Sequence, residues 1–148
     1  MTTTNDIQFK AVLQKLTLPQ QRQVAARFVE NAMSLSGDPR VKAAVSFARR
    51  ADISDAELIV VQNAAKSAAV ETYTHCGDEG DWLGQAGHFL AEAALACVAP
   101  PEKASSLAWD VAMRVRVART CETIAKGHGT EHSEAEVQYR LLDEFQRQ

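Results

Sequence analysis

The sequence lacks a long apolar run, a paired cysteine spacing and an excess of positive charge, and each absence narrows what the chain can be. No stretch approaches the roughly 18–20 apolar residues of a membrane-spanning helix. Leu58–Val61 is short, and Ala91–Ala99 is broken by Glu92. The opening MTTTNDIQFK has no basic segment followed by an apolar one, so no secretory signal is expected and the cytoplasm is the expected address. Cys76, Cys97 and Cys121 are odd in number and widely spaced, which is no disulfide framework, and no C-x-x-C pair suggests a zinc or redox site. They read as small core hydrophobes. A formal net charge of −3 and a pI near 5.8 give no basic footprint. Neither nucleic acid nor a membrane is therefore an expected partner.

What is present is the composition of an ordinary globular chain: 148 residues, 46% apolar and 24% charged. One domain spanning residues 1–148 is expected, large enough to bury a core without staples.

Helix punctuation is dense. Asn5 can cap a first helix with Phe9, Val12, Leu13 and Leu16 on one face. Thr17 and Gln20 form a capping box, with Pro19 in the first turn where a missing N–H costs little. Val24, Phe28, Ala32 and Leu35 follow at helical spacing, and Gly37 stops the run. Asp38-Pro39 opens a third helix that buries Val41, Ala44, Val45 and Ala48. Ser54 and Glu57 open a fourth, with Leu58, Val61, Ala65, Ala68, Thr72 and Cys76 on one face. Ile59, Val60 and Val70 add apolar surface elsewhere, so this helix is expected to be central and covered on more than one side.

Four of the seven glycines fall between Gly77 and Gly87. Asp78 or Asp81 then caps a fifth helix, expected to bury Trp82, Ala86, Phe89, Leu90, Ala93 and Cys97 before Pro100-Pro101. A sixth helix runs from about Ala104 to Lys126, ended by Gly127, and a seventh follows a capping box of Ser133 and Glu136. The fold class predicted is all-α, a compact bundle of about seven helices centred on the Ser54–Cys76 and Ala104–Lys126 helices. The alanine-rich faces would also suit helical-hairpin repeats, although no fixed period is present. Gly84, Gly87, Ala91 and Ala94 form a small-residue strip suited to a closely packed neighbour.

Signals for chemistry are weak. His128-Gly129-Thr130-Glu131-His132 matches H-x-x-E-H, a metalloprotease pattern that needs both histidines on one helix face. Its glycines and the cap at Ser133 point instead to a polar loop. His75, Asp81, His88 and Glu92, with Cys76, Asp78 and Glu79 nearby, are candidate metal ligands, though their spacing fits no closed zinc or calcium pattern. His88 and Glu92 sit one turn apart beside Gln85 on what projects as a solvated face. The glycine-rich segment is acidic and is followed by no G-K-[ST], so it does not cradle phosphate.

Arg114, Arg116 and Arg119 stand out on the apolar sixth helix. At least one is expected to be partly buried and paired, with Asp110 as the partner of Arg114. Together with Trp82 and Trp109 they are the candidate partner-binding residues. The function expected is a non-enzymatic protein-interaction module of adaptor, immunity or regulatory type, binding another protein or itself and using no cofactor. The rival is a small-molecule or metal-binding helical protein, or an enzyme, built on the His75–His88 loop.

Overall fold

The computed structural model describes residues 2–75 and 81–148, with the side chains of Thr74 and His75 excepted. Seven α-helices form among the described residues: α1 (Asp6–Lys15), α2 (Leu18–Asn31), α3 (Pro39–Ala48), α4 (Asp55–His75), α5 (Trp82–Cys97), α6 (Leu107–Ala125) and α7 (Glu134–Gln146). Short 3-10 turns at Met33–Leu35 and Pro101–Lys103 link α2 to α3 and α5 to α6. The protein is an all-α bundle, and no strand occurs among the described residues.

Local chemistry starts most of these helices where the sequence indicates. Asn5 accepts from the Gln8 N–H, and Asp38 from that of Arg40. Thr17 and Gln20 cap each other reciprocally, and Ser54 accepts from the Glu57 N–H. Each such cap is worth about 1 kcal/mol. Asp81 accepts from the Gly84 N–H to begin α5, and a Cβ at position 84 would collide with the Asp81 carboxylate. Gly127, at φ +75°, ends α6 in a left-handed turn, with the His128 N–H returning to the Thr123 carbonyl. The last cap differs from expectation. The Ser133 hydroxyl makes no capping bond; the His132 Nδ1 accepts from the Glu134 N–H, at 3.3 Å, and takes its place.

The centre of the bundle also differs from expectation. It is the pair α5 and α6, which form the most extensive helix contact, while α4 lies outside and packs chiefly on α3 and α5. The reason is compositional. Helix α5 carries one carboxylate and no lysine or arginine, so it can be surrounded with little desolvation of charge. Its buried Leu90, Ala91, Ala93, Ala94 and Cys97 share one core cluster with Ala108, Val111, Ala112 and Val115 of α6, and the alanines let the axes come close. Gly87 serves the same end against the 3-10 turn, where an added Cβ would stand 3.2 Å from the Leu35 carbonyl oxygen. Trp82, expected in the core, lies at the exposed start of α5.

Polar side chains close the junction between α5 and α6. Arg22 is buried and donates to the Ala99 carbonyl at 2.7 Å, and Gln62 donates to the Val98 carbonyl at 2.7 Å. These groups satisfy carbonyls that the end of a helix leaves open, and the guanidinium also suits the negative end of its dipole. Gln21 accepts from the Ala108 N–H at the start of α6. At the termini, the buried Asp143 carboxylate of α7 accepts from the Thr3 N–H and hydroxyl, tying the chain's beginning to its last helix.

Candidate functional site

Helix α4 has two faces and only one is covered. Leu58, Ala65, Ala68 and Ala69 are buried against the bundle. On the outer side Ile59 is 56% exposed, Val60 70%, Val70 57% and Tyr73 68%. Ile59, Asn63, Lys66, Val70 and Tyr73 follow each other at alternating steps of four and three, the spacing that keeps a seam on one helix face. The expectation that α4 is covered on more than one side is therefore not met, and its second apolar stripe faces outward.

That stripe borders an open cleft of about 710 Å³. Its floor is the outer face of α5, from His88 through Glu92, Leu95 and Ala96 to Ala99. One wall is α4, with Asn63, Lys66, Val70 and Tyr73; the other is Lys103, Leu107, Asp110 and Arg114, from the 3-10 turn and α6.

At one end of the floor His88 is 5% exposed, a correction to the solvated face expected for it and Glu92. The cause is α4, which covers that side of α5. The imidazole lies between Thr72 and Glu92, with Nδ1 3.0 Å from the Thr72 hydroxyl and Nε2 3.2 Å from the Glu92 carboxylate. The rings of Tyr73 and Phe89 pack on it at 5.5 and 5.4 Å. The Glu92 carboxylate stands one turn further along α5, at ion-pair distance from Nε2. The Thr72 hydroxyl can donate to Nδ1, or turn to the Ala68 carbonyl at 2.8 Å and accept from Nδ1–H.

The other candidates are dispersed. The Asp81 carboxylate caps α5, and the His75 side chain, Cys76, Asp78 and Glu79 lie outside the described residues. Among the described residues no three His, Cys, Asp or Glu side chains gather as a metal site. The H-x-x-E-H segment lies in the turn between α6 and α7, where His132 bonds to the Thr120 hydroxyl through Nε2 and to the Glu134 N–H through Nδ1.

The three arginines of α6 part company. Arg114 is exposed and lines the cleft, and its guanidinium reaches the main-chain carbonyl of Asp110, at 3.3 Å, rather than the carboxylate expected. Arg116 points to the far side, bonded to Asp6 and Gln138 and seated among the rings of Phe9, Trp109 and Tyr139. Arg119 is held by Glu122 and Glu134. Trp109 is half-buried in the same aromatic cluster, packed on Phe9. Of the five candidate binding residues, Arg114 alone reaches the cleft. Lys66, Val70, Tyr73 and Lys103 line it as well, and the seam spacing on α4 is a readable signal for the first three.

Compared with known protein families, with curated proteins and with solved structures, the chain finds no match in any of the three.

Proposed function

We propose that the protein is a non-enzymatic interaction module that binds a partner along the outer face of α4 and the adjoining cleft. The observation that supports this most directly is the pair of exposed side chains Val70 and Tyr73 beside apolar Leu95, Ala96 and Ala99, with exposed Ile59 further along the same face of α4. A helix with apolar residues on both faces gains from cover on both, and adjoining exposed apolar side chains commonly mark an interaction site. Trp82 and Leu83, exposed at the start of α5, add apolar surface. The pairing of Arg116 and Arg119 inside the fold leaves Arg114 as the arginine suited to a partner.

Site-specific photo-crosslinking tests this reading. A photoreactive residue at Tyr73 should yield a discrete adduct in the source cells, and the same residue at exposed Gln14 of α1 should not. The crosslinked protein, purified, should bind the wild type and lose about tenfold or more in affinity with Val70→Asp. Equal adducts from both positions, or none from either, would remove the proposed face.

A ligand-binding reading has one observation in its favour: the cleft volume falls within the roughly 300–1,000 Å³ of small-molecule sites, with the polar His88–Glu92 pair at its floor. Native mass spectrometry of protein prepared without chelator separates the two. A stoichiometric small mass retained by the wild type and lost with Glu92→Gln would favour the ligand.

A further inference from the structure

We infer that the occupant of the cleft is an acidic amphipathic helix supplied by a different protein, an inference that rests on the interaction reading above. Three observations lead there.

The first is charge. Lys66, Lys103 and Arg114 line the cleft, one each from α4, the 3-10 turn and α6, and none makes an ion pair among the described residues. The lining carboxylates are Glu92, 3.2 Å from the His88 ring, and Asp110. A chain of net charge −3 thus gathers unpaired cations on both walls of one cleft. Arg40, Arg49, Arg50, Arg116 and Arg119 are paired within the fold; Lys10, Lys15, Arg22, Arg27, Lys42 and Arg147 also make no ion pair among the described residues, but none of them lines the cleft, where three such cations surround one apolar floor. Complementary charge of this kind sets partner choice and orientation.

The second is shape. The floor follows α5 from His88 to Ala99, about 16 Å at the helical rise, which is about three turns of helix. It is apolar along Leu95, Ala96 and Ala99, and the cations stand on its walls. A helix with an apolar stripe flanked by carboxylates matches this floor and these walls, the helix-in-groove mode of recognition.

The third weighs against a second copy of this chain paired through the α4 seam. Lys66 is the midpoint of the α4 seam, seven residues from Ile59 and seven from Tyr73. Two copies pairing through this seam, parallel or antiparallel in register, bring their Lys66 ammonium groups together. Like charges on a pairing seam oppose association. The chain's own acidic amphipathic helix, α7, is already engaged, with Leu142 in the core and Tyr139, Leu141 and Phe145 packed against it.

The experiment uses the full-length protein and three fluorescent helical peptides of about 16 residues, long enough to span three turns with ends to spare. One has a leucine stripe flanked by glutamates, one the same stripe flanked by lysines, and one the glutamate composition with the stripe scrambled. Fluorescence anisotropy should show the glutamate peptide binding at least about tenfold more tightly than the lysine peptide at low salt, with the advantage shrinking as salt rises. The scrambled peptide should not bind. Lys66→Glu with Arg114→Glu should invert the preference, and both positions are exposed, so the variant's thermal melt should match the wild type.

Equal binding of both striped peptides, lost with Val70→Asp, overturns the acidic chemistry and leaves the interaction reading standing. No binding of either striped peptide up to about 1 mM, an affinity near −4 kcal/mol, overturns the helix as occupant. Failure of the Tyr73 crosslink as well removes the interaction reading. A dimer in solution, with Tyr73 crosslinking its own chain, overturns the inference in favour of self-pairing.

Discussion

The Arg116 guanidinium grips the Asp6 carboxylate through hydrogen bonds of 2.9 and 3.0 Å, joining the first turn of α1 to the middle of α6 across 110 residues of sequence. Its Nε donates to the side-chain oxygen of fully buried Gln138, whose amide in turn donates to the Ala112 carbonyl. The Tyr139 hydroxyl donates to the same Asp6 carboxylate. One guanidinium therefore fastens α1, α6 and α7 and lies against three aromatic rings. An arginine that reads from sequence as a binding residue is occupied inside the fold.

Arg116→Ala should destabilise the protein by about 2–4 kcal/mol, because it strips partners from Gln138 and Asp6 and opens the aromatic cluster. Arg116→Lys should recover less than half of that, since an ammonium cannot make the fork and the stack together. Urea unfolding measures both. A loss below about 0.5 kcal/mol for the alanine variant would show that the network contributes little.

Acid should weaken the same junction. The hydrogen bond from Arg116 holds the Asp6 carboxyl below its usual 3.8, against the upward push of burial and with help from the Tyr139 hydroxyl. A folded-state value below the unfolded one gives stability that is complete above the unfolded value, about pH 4, and is lost as pH falls through the folded one. Asp38, bonded by Arg40, is lowered in the same sense. Stability should therefore drop below about pH 4, and Asp6→Asn should be less stable at pH 7 yet show a shallower acid limb. Equilibrium unfolding at several pH values between neutrality and strong acid checks the slope.

Arg119 gives a second coupled network. Burial opposes its charge, but the hydrogen bond it donates to Glu122 and the attraction of Glu134 outweigh it and raise its affinity for the proton. Glu134 is buried and also accepts from the Asn31 amide. Glu134→Ala should cost about 2–4 kcal/mol and Glu122→Ala less, because solvent reaches the Lys126 side of that pair. The double variant should fall short of the sum by more than about 0.5 kcal/mol. Strict additivity in denaturant melts would mean that the two carboxylates act independently.

The Cys97 thiol is fully buried, and burial pushes its deprotonation well above the usual 9.0. Since the thiolate is the reactive form, iodoacetamide at pH 8 should leave Cys97 unmodified in the folded protein and label it in denaturant. Peptide mass spectrometry reads the site directly. Labelling of the native protein at the rate of a free thiol would place Cys97 at an opening the fold does not contain.

The two faces of α4 should respond oppositely. Ile59→Glu and Val70→Glu sit on the open stripe and should shift stability by no more than about 0.5 kcal/mol. Leu58→Ala, on the covered face, and Leu90→Ala, in α5, should each cost about 2–5 kcal/mol. Thermal melts of the four variants would expose an error in the assignment of either face.

Much of the local structure was readable because its causes are local. Asn5, Thr17 with Gln20, Asp38 and Asp81 start helices through bonds that span two or three residues. Gly127 ends α6 because a left-handed turn tolerates glycine. The candidate site was harder to read. His88 and Glu92 project beside Gln85, and nothing in α5 alone says that α4 will cover the histidine. Ser133 has the right chemistry for a cap, yet His132 is better aimed at the Glu134 N–H.

Spacing and caps act within a turn or two, so the order of residues is enough to show that this chain is helical, roughly where each helix begins, and which residues are too apolar to stay in water. The packing of the helices settles which one is central, which arginine of α6 lines the cleft and which stripe stays exposed. Those outcomes depend on partners more than a hundred residues apart, as Asp6 and Arg116 are. They also depend on a competition between helix faces for a limited core. Helix α5, with one carboxylate, is buried at lower electrostatic cost than α4, and so α4 keeps Ile59, Val70 and Tyr73 facing outward.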